Sequence, residues 1–224
     1  MTGITLEELD RDGALQEALV GVSATTRRDF LGKSVVGGGV LLAAFAAPAA
    51  LAADRDAGDR AILNFALSLE YLQDSFYTEA DRIGALKGEL ARQASIVGSH
   101  ERAHVKALRQ TLGSAAIARA RFNFHGATES EDAFRRTAVA FEDLAVAAYK
   151  GQAPRLRSRG YLAAAIAIHS VEARHAAWIR RLAGIQPAAH AFDEPITRKK
   201  ATDLVASTHF VVTTQSHRPP RYTG

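Results

Sequence analysis

The chain has 224 residues, of which 47% are hydrophobic and 23% are charged, and its formal net charge is +4. This composition excludes wholesale disorder and low-complexity classes, and the spread of basic residues without a run of five or six predicts no nucleic-acid partner. The sequence contains no cysteine, which excludes disulfides, thiolate metal sites and cysteine nucleophiles, so any bound metal must use Asp, Glu, His or backbone oxygen ligands.

The N-terminal segment has the order of an export signal. Arg27 and Arg28 precede a weakly apolar stretch over 34–52, which ends in the small-x-small pattern that signal peptidases cut. This order resembles a bacterial twin-arginine (Tat) signal. We therefore predict that 1–52 is a Tat signal with an extended n-region, read by the Tat export machinery and cleaved after about Ala52. The protein is then periplasmic or extracellular. A buried helix or an uncleaved membrane anchor is the alternative, although three glycines and a proline weaken a spanning helix.

Four long stretches with helical spacing of apolar residues follow the signal. They run from about Asp59 to Arg82, from Glu89 to Leu112, from the predicted capping box Thr128-Glu129-Ser130-Glu131 to Lys150, and from just after Pro154 to Ala183. No second apolar run suggests a stable membrane span after cleavage.

The links between these helices predict the topology. The first and third links are short, which makes each helix pair an antiparallel hairpin, whereas the link 113–127 is long enough to cross the whole bundle. We therefore predict an all-α four-helix bundle over 53–184, built from two antiparallel hairpins joined by one long crossover. The tail over 185–224 is predicted to pack along the bundle, with one short helix near Lys199–Ser207.

Each predicted hairpin carries one Glu on its first helix and a Glu-x-x-His motif on its second. Residues three apart share a helix face, and residues equally far from the turn of a hairpin stand at the same height. Six side chains are therefore expected to converge halfway along the helices. They are Glu70, Glu101 and His104 in the first hairpin, and Glu142, Glu172 and His175 in the second.

The surroundings of these residues favour a metal centre. Apolar neighbours one turn away indicate that Glu101, Glu142 and Glu172 face inward, whereas Glu70 is less clear because Gln73 and Asp74 follow it. Four buried carboxylates are strongly unfavourable without compensation, and two divalent cations would cancel their charge. Carboxylate with imidazole suits iron or manganese, and the ligands do not choose between the two.

Other residues stand close to the six in sequence. Tyr77 and Tyr149 each follow a candidate Glu by seven residues, and we expect them either to donate hydrogen bonds that orient Glu ligands or to be core aromatics with hydrated hydroxyls. His100 and His169 are expected to be hydrogen-bonded residues beside the site rather than ligands, because the ligand set is already full.

The stretch of about 59–183 resembles the ferritin-like superfamily, and most of all the exported bacterial ferritin-like proteins related to plant desiccation-related proteins. The motifs NFALSLEYL over 64–72, FEDL over 141–144 and VEARHA over 171–176 carry this resemblance. It implies a ferritin-like fold and a dinuclear metal site with all six candidate residues as ligands. Glu101 and Glu172 would bridge the ions, while Glu70 and Glu142 would be terminal ligands.

These observations lead to alternative functions. The first is an exported di-iron or di-manganese oxidoreductase, ferroxidase-like or catalase-like, that uses O₂ or peroxide in oxidative or drying stress. The second is a non-enzymatic, desiccation-protective bundle with a structural or vestigial metal site. A storage cage is less favoured, because the tail shows no clear counterpart of the fifth helix of cage-forming ferritins, and a homodimer is compatible with either of the first two functions.

Overall fold

The computed structural model describes residues 57–212, and the predicted export signal lies outside the described residues. The chain forms five helices there, α1 (Ala57–Ile83), α2 (Gly88–Leu112), α3 (Glu131–Gln152), α4 (Arg159–Leu182) and α5 (Arg198–Ser207). No strand forms in this part of the chain, where a single antiparallel bridge joins Phe122 to Val211. The predicted all-α fold is confirmed. None of these helices is both long enough and apolar enough to cross a membrane.

The two hairpins form as predicted, but α4 begins later than the sequence suggested. Pro154 lies in the 3₁₀ turn Ala153–Arg155, and α4 starts only after Ser158, whose hydroxyl accepts a hydrogen bond from the backbone of Tyr161. The buried carboxylate of Asp59 accepts bonds from the backbone N–H groups of Arg157 and Ser158 at 3.0 and 2.9 Å. These bonds fix the start of α4 against the start of α1.

The predicted capping box at the start of α3 is wrong in its details. Ser130, not Thr128, caps the helix and accepts a bond from the backbone of Ala133. Thr128 is fully buried and donates its hydroxyl to Glu79 at 2.8 Å. A capping side chain has to face the free N–H groups at the start of its helix. Thr128 instead turns toward α1, where its bond to Glu79 holds the end of the crossover against that helix.

The long crossover runs along α1 from one end of the bundle to the other. Asn64 near the start of α1 exchanges hydrogen bonds with Ala115 and Ile117, and Thr128 reaches Glu79 fifteen residues further along α1. That separation is about 22 Å of helix. Because the crossover returns the chain to the end where α2 began, α3 runs parallel to α2.

The C-terminal part of the described chain packs against the bundle. α5 lies where the sequence predicted a short helix, and its fully buried Ala201 joins Phe65, Leu69 and Ala148 in one apolar cluster. Before α5, the backbone of Ile196 donates to Ala147 at 3.1 Å. The tail therefore passes over α1 and α3.

An aromatic core fills the bundle on one side of the predicted site. Phe76 is fully buried and lies 5.0 to 5.5 Å, between ring centroids, from the rings of its four neighbours Tyr77, Phe124, Phe134 and Phe141. Edge-to-face and stacked pairs of this kind hold rings in fixed positions. One wall of the site is therefore rigid and dry.

Candidate metal centre

The structure brings all six predicted side chains together in the middle of the bundle. The four glutamates have no exposed surface, and the side chains of His175 and His104 are 1% and 12% exposed. Glu70, whose direction the sequence left open, faces inward with the others, while Asp74 forms an ion pair with Arg119 of the crossover. The six residues form two groups that share two members, Glu70, Glu101, His104 and Glu172 in one, and Glu101, Glu142, Glu172 and His175 in the other.

Each group contains one imidazole, whose Nδ1 lies close to the carboxylates of that group. The Nδ1 of His104 is 3.0 Å from Glu172 Oε1 and 3.3 Å from Glu70 Oε2. The Nδ1 of His175 is 3.0 Å from Glu101 Oε1 and 3.5 Å from Glu142 Oε2. Within the cluster, the two hairpins are therefore related by an approximate two-fold axis.

Glu101 and Glu172 divide their oxygens between the groups. Glu101 turns Oε1 toward His175 and Oε2 toward His104, and Glu172 turns Oε1 toward His104 and Oε2 toward His175. Glu70 and Glu142 each approach one imidazole only. The geometry separates two shared carboxylates from two terminal ones.

The atoms that face the centre of the cluster lack hydrogen bonds. Eight such atoms, all buried, belong to the six residues: Glu70 Oε2, both oxygens of Glu101, His104 Nδ1, Glu142 Oε2, both oxygens of Glu172 and His175 Nδ1. Several are only 3.0 Å apart, yet they are not aligned for hydrogen bonding. Buried polar atoms are normally satisfied, so a group of unsatisfied atoms pointing at common centres needs an explanation.

The remaining oxygen of each terminal glutamate accepts a tyrosine hydroxyl. Tyr77 donates to Glu142 Oε1 and Tyr149 donates to Glu70 Oε1, both at 2.5 Å. The spacing of seven residues relates each tyrosine to the Glu of its own helix, but each tyrosine crosses to the opposite hairpin. Gly98 makes room for Tyr77, because a Cβ at that position would lie 2.9 Å from the Cβ of the tyrosine.

Burial and the charges of neighbouring residues shift the pKa values of the ionisable groups in the cluster. Burial raises the pKa of Glu101 well above its usual range, and the charges of Glu172 and Glu70 raise it further. Burial also raises the pKa of Glu142 to about 7. Burial opposes protonation of His175, but the carboxylates of Glu101, Glu142 and Glu172 outweigh it and raise that pKa to about 12. Without a bound cation, the cluster therefore retains protons at neutral pH.

The two histidines next to the site differ in their contacts. The Nδ1 of His100 lies 2.9 Å from the Nε2 of His175, and the two rings meet edge to edge in nearly one plane, with centroids 5.2 Å apart. Burial and the nearby charge of His175 lower the pKa of His100. His169 was also expected to be hydrogen-bonded, but its buried Nε2 has no partner.

The donor set fits divalent cations. Four carboxylates carry four negative charges that two such ions cancel, and neutral imidazoles add a nitrogen donor to each group. The Glu and Glu-x-x-His arrangement on facing helices is the one found in di-iron and di-manganese bundles. The cluster is thus compatible with a metal site, and the eight unsatisfied atoms are where its ligands would be.

Comparison with known protein families agrees with the fold of the structure. A family model described as a ferritin-like domain matches residues 58–185, which is more than half of the chain and includes all six residues of the cluster. No curated protein is a significant match to the chain.

Proposed function

Because this chain belongs to the ferritin-like domain family, we propose that its cluster holds two divalent ions, iron or manganese. We further propose that the protein is an oxidoreductase acting in iron oxidation or peroxide defence. One observation carries the proposal: eight buried donor atoms on six side chains point at two common centres without hydrogen bonds of their own.

The side chains have distinct roles under this proposal. Glu101 and Glu172 give one oxygen to each centre and hold both ions, while Glu70 and Glu142 are terminal ligands. Tyr77 and Tyr149 hold the terminal carboxylates in place by donating to the oxygen that faces away from the centre. Full burial of the glutamates keeps them from bulk water, and His104, whose side chain is 12% exposed, is the most exposed of the six.

Bound iron or manganese would supply one-electron redox chemistry toward O₂ or peroxide. In the ferroxidase reaction, two Fe²⁺ substrates each lose one electron, and one H₂O₂ takes up these electrons with two protons to give two water molecules. In the catalase-like reaction, two H₂O₂ give two water molecules and one O₂.

The test is a metal titration of the purified full-length protein. We expect about two Fe²⁺ or Mn²⁺ per chain, in keeping with the two groups of donor atoms. Glu101→Gln keeps the volume of a shared ligand and should weaken both binding steps, whereas Glu142→Gln should weaken only one. Glu79→Gln is the matched control, because Glu79 lies on α1 and accepts the Thr128 hydroxyl outside the cluster.

Activity assays then distinguish iron oxidation from the catalase-like reaction. Consumption of one peroxide for each pair of Fe²⁺ supports iron oxidation, and release of O₂ from peroxide supports the catalase-like reaction. A protein that binds no metal, or whose Glu101→Gln and Glu79→Gln variants bind metal equally well, would contradict the metal site. If metal binds but neither peroxide nor Fe²⁺ is consumed, the oxidoreductase role is wrong and the non-enzymatic protective function is favoured.

Export and assembly are separate parts of the proposal. We propose that the Tat pathway exports the protein to the periplasm or beyond, and mass measurement of the secreted form would locate the cut expected near Ala52. Replacing Arg27 and Arg28 by Lys should retain the protein inside the cell. We also propose that the protein does not form a storage cage, because the tail sequence, with the one short helix expected there, does not resemble the fifth helix of cage-forming ferritins. Sizing chromatography decides between a cage and the homodimer that we propose.

A further inference from the structure

The two halves of the cluster are related by an approximate two-fold, but one contact breaks the symmetry. His100 precedes Glu101 on α2, and its Nδ1 lies 2.9 Å from the Nε2 of His175. The equivalent position before Glu172 on α4 is Val171, whose side chain has no hydrogen-bonding atom. The sequence itself therefore makes the halves different.

We propose that His100 is a positioning residue that fixes the ring of His175, so that the half of the cluster around His175 binds its ion more tightly than the half around His104. This inference rests on the proposed function for the ion, while the contact between the two histidines stands without it.

The direction of the hydrogen bond follows from imidazole chemistry. The Nδ1 of His175 faces the carboxylates of Glu101 and Glu142 and must offer a lone pair to act as a ligand. The Nε2 of His175 therefore carries a proton and donates in both states: in the imidazolium of the metal-free cluster, where both nitrogens are protonated, and in the neutral ring whose Nδ1 is free to bind an ion. The Nδ1 of His100 is the acceptor. The contact thus selects the tautomer of His175 that can bind an ion.

Packing supports the same orientation. The rings of His100 and His175 meet edge to edge and are tilted by only 16°, the arrangement of an in-plane hydrogen bond, and the side chain of His175 is 1% exposed. The side chain of His104 is 12% exposed, and in its half of the cluster Val171 stands at the position equivalent to His100. A buried ligand ring that is already held by a hydrogen bond loses less freedom when an ion binds.

The test uses two variants of the full-length protein at position 100. His100→Phe keeps an aromatic ring but removes the acceptor, and His100→Asn restores an acceptor oxygen close to the position of Nδ1. In Mn²⁺ titrations of the wild type, we expect two steps of unequal affinity. His100→Phe should weaken the tighter step by roughly 10–100-fold, the usual effect of losing a partner of a ligand, and His100→Asn should restore most of it.

A second measurement needs no metal. In long-range ¹H–¹⁵N spectra of the metal-free protein, the Nε2–H of His175 should be protected in the wild type and in His100→Asn, and exchange rapidly in His100→Phe. His169→Phe is the matched control, because this histidine stands three residues before Glu172 and its Nε2 has no partner.

The results distinguish the two proposals. If the protected proton is present but no metal binds, the contact is as inferred and the proposed function fails. Equal binding steps in the wild type overturn the inference while the proposed function survives. It is also overturned if His100→Phe changes both steps alike or neither, or if His100→Asn weakens binding as much as His100→Phe does.

Discussion

Removing one tyrosine hydroxyl tests the architecture of the cluster. Tyr77 is 1% exposed, and its hydroxyl donates at 2.5 Å to an oxygen of fully buried Glu142. In Tyr77→Phe that oxygen loses its donor, and water does not reach it. A hydrogen bond to a charged group contributes about 1.5–3 kcal/mol, which we expect as the loss in unfolding free energy. In a chain of this size, the melting temperature should fall by roughly 3–12 °C.

The loss should depend on pH with a definite sign. Burial raises the pKa of Glu142 to about 7 in the folded protein, above its ordinary value of 4.5. Above that pH the folded state holds a charged carboxylate, and the tyrosine hydroxyl stabilises this charged form. The destabilisation caused by Tyr77→Phe should therefore be largest at about pH 8.5 and shrink as the pH falls through 7.

The assay is urea unfolding of the metal-free full-length protein at about pH 8.5 and about pH 5.5. Tyr71→Phe is the control, because the Tyr71 hydroxyl donates to the carbonyl of Ile117 and accepts from Arg109, away from the cluster. It should lower stability equally at both pH values. A Tyr77→Phe loss below about 0.5 kcal/mol, or the same pH dependence in both variants, would refute the reasoning.

Four further outcomes are expected. Free metal at a hundredfold excess over its dissociation constant should stabilise the protein by about 2.7 kcal/mol for each occupied site, seen as a rise in melting temperature that Glu101→Gln reduces. Metal binding should release protons, because the cluster retains them without a cation, so affinity should rise between about pH 6 and pH 8; calorimetry in buffers of different ionisation enthalpy measures this release. Gly98→Ala should displace Tyr77, lower stability by about 1–3 kcal/mol and weaken metal binding, whereas unchanged metal binding would show that the close approach is unimportant. Gly151→Ala would place a Cβ 1.9 Å from the carbonyl oxygen of Ile196, so hydrogen exchange should rise over 193–207 while metal binding is unchanged.

The helices and the six-residue cluster could be predicted because they depend on spacing. The repeat of Glu and Glu-x-x-His fixes both the helix face and the height in a hairpin, so convergence follows from helix geometry alone. Glu70 was ambiguous because polar Gln73 and Asp74 share its helix turn. Only the crossover, which brings Arg119 to Asp74, shows why a second acid on that helix is buried without belonging to the cluster.

Contacts between the two hairpins could not be predicted from the sequence. Nothing in the spacing of Tyr77 says that it passes its own Glu70 and reaches Glu142, because that depends on the distance between helices at Gly98. The contact between His100 and His175 is of the same kind, since it joins residues 75 positions apart. The sequence signal that could have suggested it is the mismatch between His100 and Val171 in otherwise repeating halves.

The exchange of tyrosines between hairpins has a consequence for how the chain assembles. When the hairpins dock, each buries a glutamate whose donor belongs to the other hairpin, since Tyr149 donates to Glu70 and Tyr77 donates to Glu142. Two hairpins that associate in the wrong register would leave both acids without a donor and pay a desolvation cost twice. The same contacts that shape the centre therefore discriminate against misassembled bundles, and correct docking of the halves is coupled to completion of the site.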